Sequence, residues 1–289
     1  MIAIDLGSNT IRFIEFDGQL WLRSFEKIVR TAENLHQSKR IGQNAVDRII
    51  EAINEAKGYF DFTQPILGYT TAAMRLAENA DEVLSTIKGS TGILFEIIDG
   101  EKEAFLTLNA VRYRLKTLDI EPSDFLLADI GGGSTELTRF TSSQTQTVSL
   151  NFGIVTLSES SENDLDTKIV EFKHALKNHI GSDATTLVLT AGTPTTIAAY
   201  VNGMDYESYD PEAINGYRLS LRDCYRVYHD LENMDESSRI RFVGVGRENL
   251  IIAGILMVTA IYESMGVEEA IIIDDGLREG IALDYYKMS

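Results

Sequence analysis

Cysteine is almost absent from this chain, and its scarcity removes whole classes of protein at once. A single thiol, Cys224, excludes an internal disulfide framework and suits the cytoplasm. Cys224 also lacks the loop and arginine spacing of a cysteine phosphatase, so it reads as a core or surface thiol. Basic residues are scarce as well: 26 stand against 44 acidic ones, a net charge of −18. That balance argues against a general nucleic-acid or anionic-membrane surface, and it obliges any phosphate site to concentrate its arginines locally. No long hydrophobic run is present. The longest, Leu250 to Tyr262, is too short to span a bilayer and reads as a buried helix. At the amino terminus a charged Asp5 stands in place of a basic segment and an apolar run, so no secretory signal is expected. Neither a Ser-His-Asp set nor a zinc-ligand spacing can be found.

What remains is a chain of 289 residues, long enough for two domains of ordinary size. Its centre of interest is Phe125 to Leu137, FLLADIGGGSTEL. Phe125 to Ala128 is an apolar run ending in Asp129 and reads as a buried strand. Gly131, Gly132 and Gly133 follow, a costly composition that fits a sharp turn where a ligand approaches the main chain. The N–H groups of such a turn form an anion-binding concavity, to which Ser134 and Thr135 add hydroxyls. Asp129 and Glu136 flank it as candidate ligands for a hard cation. A glycine-rich hairpin with a self-capping aspartate fits the same residues. The start of the chain tips the balance. There Ile2, Ala3 and Ile4 run into Asp5-Leu6-Gly7-Ser8-Asn9, repeating strand, aspartate, glycine and serine in the same order.

Other pieces lie at the ends of predicted strands. Arg12 follows the first turn on the polar side of a strand; it is either a phosphate contact or a solvated residue. The locally basic run from Arg23 to Arg40 reads as a solvated face. Val46, Ile49, Ile50 and Ile53 recur at helical spacing and predict a scaffold helix. Pro65 to Tyr69 is a strand that opens into Thr70 to Arg75, with Arg75 either an anion contact or a helix-surface ion pair. Asn79 with Glu82 predicts a helix cap. Leu94 to Ile98 leads into Asp99-Gly100-Glu101-Lys102-Glu103-Ala104, where the acids serve either as helix-start charges or as a carboxylate that deprotonates a water. A break around Pro122 separates the halves. Glu159 to Asp166 reads as an acidic loop. Leu187 to Leu189 runs into Thr190 to Thr196, a helix entrance whose N–H groups at Gly192 and Thr193 could hold a phosphate, though tight packing explains the small residues nearly as well. Ile271 to Ile273 runs into Asp274 to Gly280, a strand-to-helix corner with an aspartate cap.

Two turns of this kind resemble the signature of the actin, sugar kinase and heat-shock chaperone superfamily. More specifically, Asp5 to Asn9, Thr70 to Arg75 with Asn79, Gly100 to Ala104, Asp129 to Leu137, Gly192 to Ala199 and Gly276 to Gly280 match, in order, the exopolyphosphatase and guanosine pentaphosphate phosphohydrolase (Ppx/GppA) family. The resemblance runs from residue 2 to residue 284. It implies an α/β fold of two actin-like (ribonuclease H-like) lobes with an interdomain cleft and no additional C-terminal helical domain. Residues 1–120 would form the first lobe and 121–289 the second, with the final helix packing back on the first.

The activity implied is hydrolysis of the terminal phosphoanhydride of polyphosphate or guanosine pentaphosphate, with magnesium. Glu103 becomes the base that activates water, and Asp129 and Glu136 join it as catalytic carboxylates. Asp5, Asp129 and Glu136 are the expected metal set. Gly7, Ser8 and Asn9 from one lobe, and Gly131 to Ser134 from the other, would cradle phosphates, with Arg12 and Arg75 as the arginines that meet the phosphate chain. Lys102 departs from the pattern by replacing the first of two paired acids, which changes the charge beside the proposed base. The longer relatives' helical domain is also missing, so a grip on long polymers is not implied. No nucleic-acid or membrane partner is expected, and a homodimer through amphipathic helices would be compatible. An ATP-dependent phosphotransferase and a non-hydrolysing sensor of guanosine tetraphosphate, pentaphosphate or polyphosphate are the competing readings.

Overall fold

In the computed structural model, residues 1–158, 162–179 and 186–288 are described. The chain divides into two compact units, Met1–Ala110 with Leu277–Ser289, and Val111–Gly276. The division falls after Ala110, inside a helix, and the connection around Pro122 lies in the second unit.

The first unit contains β1 (Ile2–Leu6), β2 (Thr10–Phe16), β3 (Trp21–Ile28), α1 (Leu35–Ser38), α2 (Gln43–Ala56), β4 (Ile66–Thr70), α3 (Ala72–Leu76), α4 (Ala80–Thr91), β5 (Phe95–Ile97) and the start of α5 (Gly100–Thr117). The second contains the rest of α5, then β6 (Asp124–Ile130), β7 (Thr135–Thr141), β8 (Thr145–Leu150), α6 (Ile154–Ser158), α7 (Glu162–His179), β9 (Leu187–Thr190), α8 (Gly192–Val201), α9 (Pro211–Ile214), β10 (Tyr217–Ser220), α10 (Leu221–Glu232), α11 (Glu236–Val243), α12 (Leu250–Met265) and β11 (Glu269–Ile272). The last helix, α13 (Leu277–Tyr285), returns to the first unit and packs on β1 and β2. Gly280 makes that return possible, since a Cβ there would overlap the Leu106 carbonyl oxygen.

The two sheets repeat one plan. In the first unit the order is β3-β2-β1-β4-β5, with an antiparallel meander on one side and parallel β4 and β5 on the other. In the second the order is β8-β7-β6-β9-β11, extended by the antiparallel edge strand β10. Strands β1 and β6 are the central ones, so their residues are apolar almost throughout and buried: Ile2, Ala3, Ile4 and Leu6 in one, Phe125 to Ala128 and Ile130 in the other. The exceptions are Asp124 at the start of β6 and Asp5 and Asp129, each near a carboxyl end.

Helix α2 buries Val46, Ile49 and Ile53, as its spacing predicts. Helix α12 is the buried apolar run, with Ile251, Ile255, Met257, Val258 and Ile261 in the core of the second unit. Among the described residues no helix is long and apolar enough to cross a membrane. Three details differ from expectation. Asn79 sits at the N-cap of α4 without a side-chain capping bond; its amide instead pins the backbone of Ile41, accepting from the N–H at 2.9 Å and donating to the carbonyl at 3.0 Å. Of the expected acidic loop, residues 159–161 lie outside the described residues, and 162–166 open α7. Val29, Thr31 and Ala32 in the basic run are buried, so that stretch is more than a solvated face.

Candidate functional site

In each unit the chemistry collects at the carboxyl ends of adjacent parallel strands, where open α/β sheets receive ligands. In the first unit Leu6, Thr70 and Ile97 lie side by side at the ends of β1, β4 and β5. The Thr70 hydroxyl donates to the Leu6 carbonyl at 2.8 Å, and the Ile98 N–H donates to the Thr70 carbonyl at 3.0 Å, which locks the three ends together. From these ends emerge the first turn, the helix carrying Arg75 and the helix carrying Glu103.

The first turn closes with the Gly7 N–H donating to the Thr10 carbonyl at 3.0 Å. Ser8 and Asn9 are buried. Asp5 and Arg12 are directly opposite across β1 and β2, and so share one face of the sheet; Arg12 Nε lies 3.2 Å from Glu26 on β3.

Glu103 stands in the first turn of α5 and is only 9% exposed. The helix begins there because Asp99 accepts a hydrogen bond from the Lys102 N–H at 2.8 Å, a capping contact that satisfies an otherwise orphaned donor. Arg75 Nη1 donates at 2.8 Å to Glu103 Oε2 and at 2.8 Å to the Ile98 carbonyl, so one guanidinium group ties the carboxylate to the strand end. Lys102 points elsewhere: its Nζ is 3.1 Å from Glu96 and 4.2 Å from the centroid of the Tyr69 ring. Burial opposes the charge on Lys102, but the hydrogen bonds and charges of Tyr69 and Glu96 outweigh it and the pKa rises. The cation that replaces an acid in the sequence is therefore engaged with Glu96 and Tyr69, while Arg75 is the charge partner the structure gives Glu103.

In the second unit Asp129 and Thr190 are neighbours on parallel β6 and β9, and α8 begins at Gly192 just beyond. The second turn closes with the Gly131 N–H donating to the Ser134 carbonyl at 2.9 Å. Asp129 and Glu136 are directly opposite on β6 and β7, with side chains on one face; buried Glu136 accepts from the Ser149 hydroxyl of β8 at 2.7 Å.

Sequence reasoning did not single out Gly153. Its position beneath the second turn has no room for a side chain, since a Cβ would overlap the Gly132 carbonyl and lie 2.5 Å from the Gly133 carbonyl carbon. From there the N–H groups of Ile154 and Val155 hold the carbonyls of Gly131 and Gly132 at 3.1 and 2.9 Å. The only sequence signal was an ordinary Asn-Phe-Gly turn. Thr193 is buried, and a Cβ at Gly254 on α12 would overlap its side chain, so this threonine packs two helices together. At the last corner the Asp275 carboxylate takes both of its 3.0 Å contacts with Arg114 Nε and one at 3.4 Å from Asn215, so it anchors α5 to the strand end within the second unit.

Among the described residues no three or more His, Cys, Asp or Glu side chains converge as a metal cage. The donor chemistry at the second turn nevertheless fits magnesium, which takes hard oxygen ligands and typically only one or two carboxylates together with water and phosphate oxygens. Asp129 and Glu136, opposite one another beside a turn rich in N–H groups, supply that pair.

Comparison with known proteins bears on the family and the fold. The Ppx/GppA phosphatase family matches residues 19–288. Exopolyphosphatase 1 of Mycobacterium leprae is 26% identical over 303 residues, covering 97% of this chain and 88% of that protein. A solved structure of the Aquifex aeolicus PPX-GPPA enzyme is similar at 27% identity, with a TM-score of 0.78 and 98% of each chain covered. An exopolyphosphatase from Cytophaga hutchinsonii, at 20% identity, shares the fold with a TM-score of 0.80 over 99% of this chain and 97% of its own. The duplicated strand order is that of the two-lobed actin-like fold these structures share. With a match across nearly its whole length and the two glycine turns in place, the chain belongs to the Ppx/GppA phosphatase family.

Proposed function

We propose that this protein releases the terminal phosphate of inorganic polyphosphate, or of guanosine pentaphosphate, by attack of a water molecule that Glu103 deprotonates. The observation that carries the reading is the placement of Glu103: a nearly buried carboxylate, at the carboxyl end of the first sheet, held in one orientation by Arg75 at 2.8 Å. The exopolyphosphatase of M. leprae, similar over almost the whole chain, supports polyphosphate as the substrate class.

The reaction needs charge neutralisation and an aligned water more than it needs a nucleophilic side chain. Glu103 accepts the proton of the attacking water as its oxygen bonds to the terminal phosphorus. The anhydride bond breaks and the shortened chain departs with the bridging oxygen. Arg75 orients the carboxylate through Nη1, and the rest of its planar fork suits a phosphate oxygen. Gly7 and Gly131 close the two turns, and the main-chain N–H groups of Ser8 and Asn9, of Gly132 to Ser134 and of the α8 start at Gly192 and Thr193 bind phosphate oxygens, with Arg12 adding a cation. Magnesium, held by Asp129 and Glu136 with Asp5 as a further candidate, would neutralise charge on the anhydride oxygens when bound.

The hydrolase is favoured over the sensor because the residue that suggested a sensor, Lys102, is engaged with Glu96 and Tyr69 rather than with Glu103. The test is phosphate release from short polyphosphate and from guanosine pentaphosphate, with and without magnesium, for the native protein and Glu103→Gln. Magnesium-dependent release that collapses in the variant is expected, and the ratio of the two substrates sets the preference. Tight binding of both compounds without release would overturn hydrolysis in favour of sensing.

A further inference from the structure

The third strand of each meander places a polar side chain opposite the residue that distinguishes its turn. In the first unit Glu26 on β3 faces Arg12 on β2, with Arg12 Nε 3.2 Å from the Glu26 carboxylate. In the second unit Ser149 on β8 faces Glu136 on β7, and its hydroxyl donates to Glu136 Oε1 at 2.7 Å. These contacts act differently on charge. An ion pair offsets the charge of both partners, whereas a hydroxyl fixes the direction of a carboxylate and leaves its negative charge for a cation. Glu136 is 2% exposed, so the polar contacts it makes decide where its oxygens point.

Ser149 is itself fixed in place. Thr138 and Thr147 stand two residues along the same strands, on the same face, and their hydroxyls lie 3.1 Å apart with Thr138 buried. On the other side of Ser149 the chain runs through buried Leu150 to Phe152, whose carbonyl accepts from the Thr135 hydroxyl at 2.7 Å. Gly153 follows beneath the second turn. A polar cross-strand pair and the brace of the turn therefore hold β8 in register from both ends, and a slip of one residue would turn Ser149 to the opposite face.

We propose that Ser149 is a positioning residue of the second turn: its hydroxyl aims the Glu136 carboxylate on the face that Glu136 shares with Asp129, and in doing so sets the affinity for a divalent cation. The inference rests on the reading of Asp129 and Glu136 as the magnesium-binding pair. Hydrogen bonds that orient a metal-ligating carboxylate typically account for about ten- to a hundredfold in metal affinity. Ser149 is exposed on an edge strand, so water reaches Glu136 when the hydroxyl is removed. Water restores a hydrogen bond without its fixed direction, which puts the expected effect at the lower end of that range.

The test compares the native protein with Ser149→Ala and Ser149→Thr, without substrate. The probe is manganese, which suits the same oxygen ligands as magnesium and whose free ion is counted directly by electron paramagnetic resonance. Ser149→Ala is expected to bind manganese about tenfold more weakly than the native protein. Ser149→Thr keeps the hydroxyl and suits a strand, so its affinity should stay within about threefold of the native value. Without metal the three proteins should melt alike. In turnover of tripolyphosphate, the magnesium concentration for half-maximal rate should shift in Ser149→Ala by the same factor as the manganese affinity, with KM for tripolyphosphate at saturating magnesium within roughly twofold. A loss of affinity as large in Ser149→Thr as in Ser149→Ala, or one that comes only with a fallen melting temperature of the metal-free protein, overturns the inference. Manganese binding that Ser149→Ala leaves unchanged overturns this inference alone, whereas a native protein that binds no manganese overturns the metal-binding reading of Asp129 and Glu136 with it.

Discussion

The two turns are built alike and charged differently. Each follows an aspartate on the central strand of its sheet, closes by a glycine N–H bonded to a carbonyl three residues on, and has its carbonyls tied down by the chain that follows the third strand of the meander. The residue opposite Asp5 is Arg12, whereas the residue opposite Asp129 is Glu136; one strand further out, Glu26 faces Arg12 and Ser149 faces Glu136. At matched positions of a repeated scaffold, the first unit offers a cation and the second a carboxylate. The lesson is a division of labour: the first turn, with Arg12 opposite its aspartate, suits direct contact with phosphate, and the second suits phosphate reached through a bound cation.

The supports differ too. At the second turn, Gly153 sits so close that only hydrogen fits, and the following helix begins at once. At the first turn the support is an irregular segment braced by Arg48, and Gly7 itself has space, the nearest atom to an added Cβ being the Thr10 oxygen at 3.5 Å.

The largest effect lies at the proposed base. Glu103→Gln should lower kcat by about a hundred- to ten-thousandfold, as loss of a general base does, read as phosphate released per enzyme. Next come the matched positions. Asp129→Asn is expected to raise the magnesium concentration for half-maximal activity by roughly ten- to a hundredfold. Arg12→Gln should raise KM and leave the magnesium requirement where it was. Equal magnesium shifts in the two variants would erase the division of labour.

The supports give smaller, structural effects. Gly153→Ala should cost about 1 to 3 kcal/mol in denaturant unfolding, because the new methyl group meets backbone on every side. Gly7→Ala should fall within about 0.5 kcal/mol of the parent. Thr31→Val, which replaces a buried unpaired hydroxyl with a methyl group, should stabilise by about 1 kcal/mol and leave KM unchanged. Least of all is expected at Cys224, where burial and the nearby Asp223 push the thiol up to about 12, so alkylation of the folded protein at neutral pH should be negligible.

Both turns were legible in the sequence because their signals are local: an apolar run, an aspartate, then glycine with serine. What escaped the sequence depends on contacts between distant residues. Gly153 looked like any turn glycine until the main chain of residues 132 and 133 was found against it. Arg30 and Arg48 read as parts of a basic stretch and a scaffold helix, and only the folded chain ties the Arg30 N–H to the Asn9 carbonyl and Arg48 Nε to the Val29 carbonyl. Asn79 carried the pattern of a cap, yet its amide is better satisfied by both backbone groups of Ile41 than by a single helix N–H. Lys102 posed the opposite difficulty. Its charge beside Glu103 was plain in sequence, but neighbours on a helix point about 100° apart, and Glu96 and Tyr69 lie on its own side.

The central claim is that water, activated in the first unit, takes the terminal phosphoryl group. It is tested most directly by turnover of tripolyphosphate with magnesium in heavy-oxygen water. The account predicts orthophosphate that carries one solvent oxygen, formed without any acceptor and lost in Glu103→Gln. Orthophosphate without the label, or release that appears only when ATP and an acceptor are supplied, would contradict it.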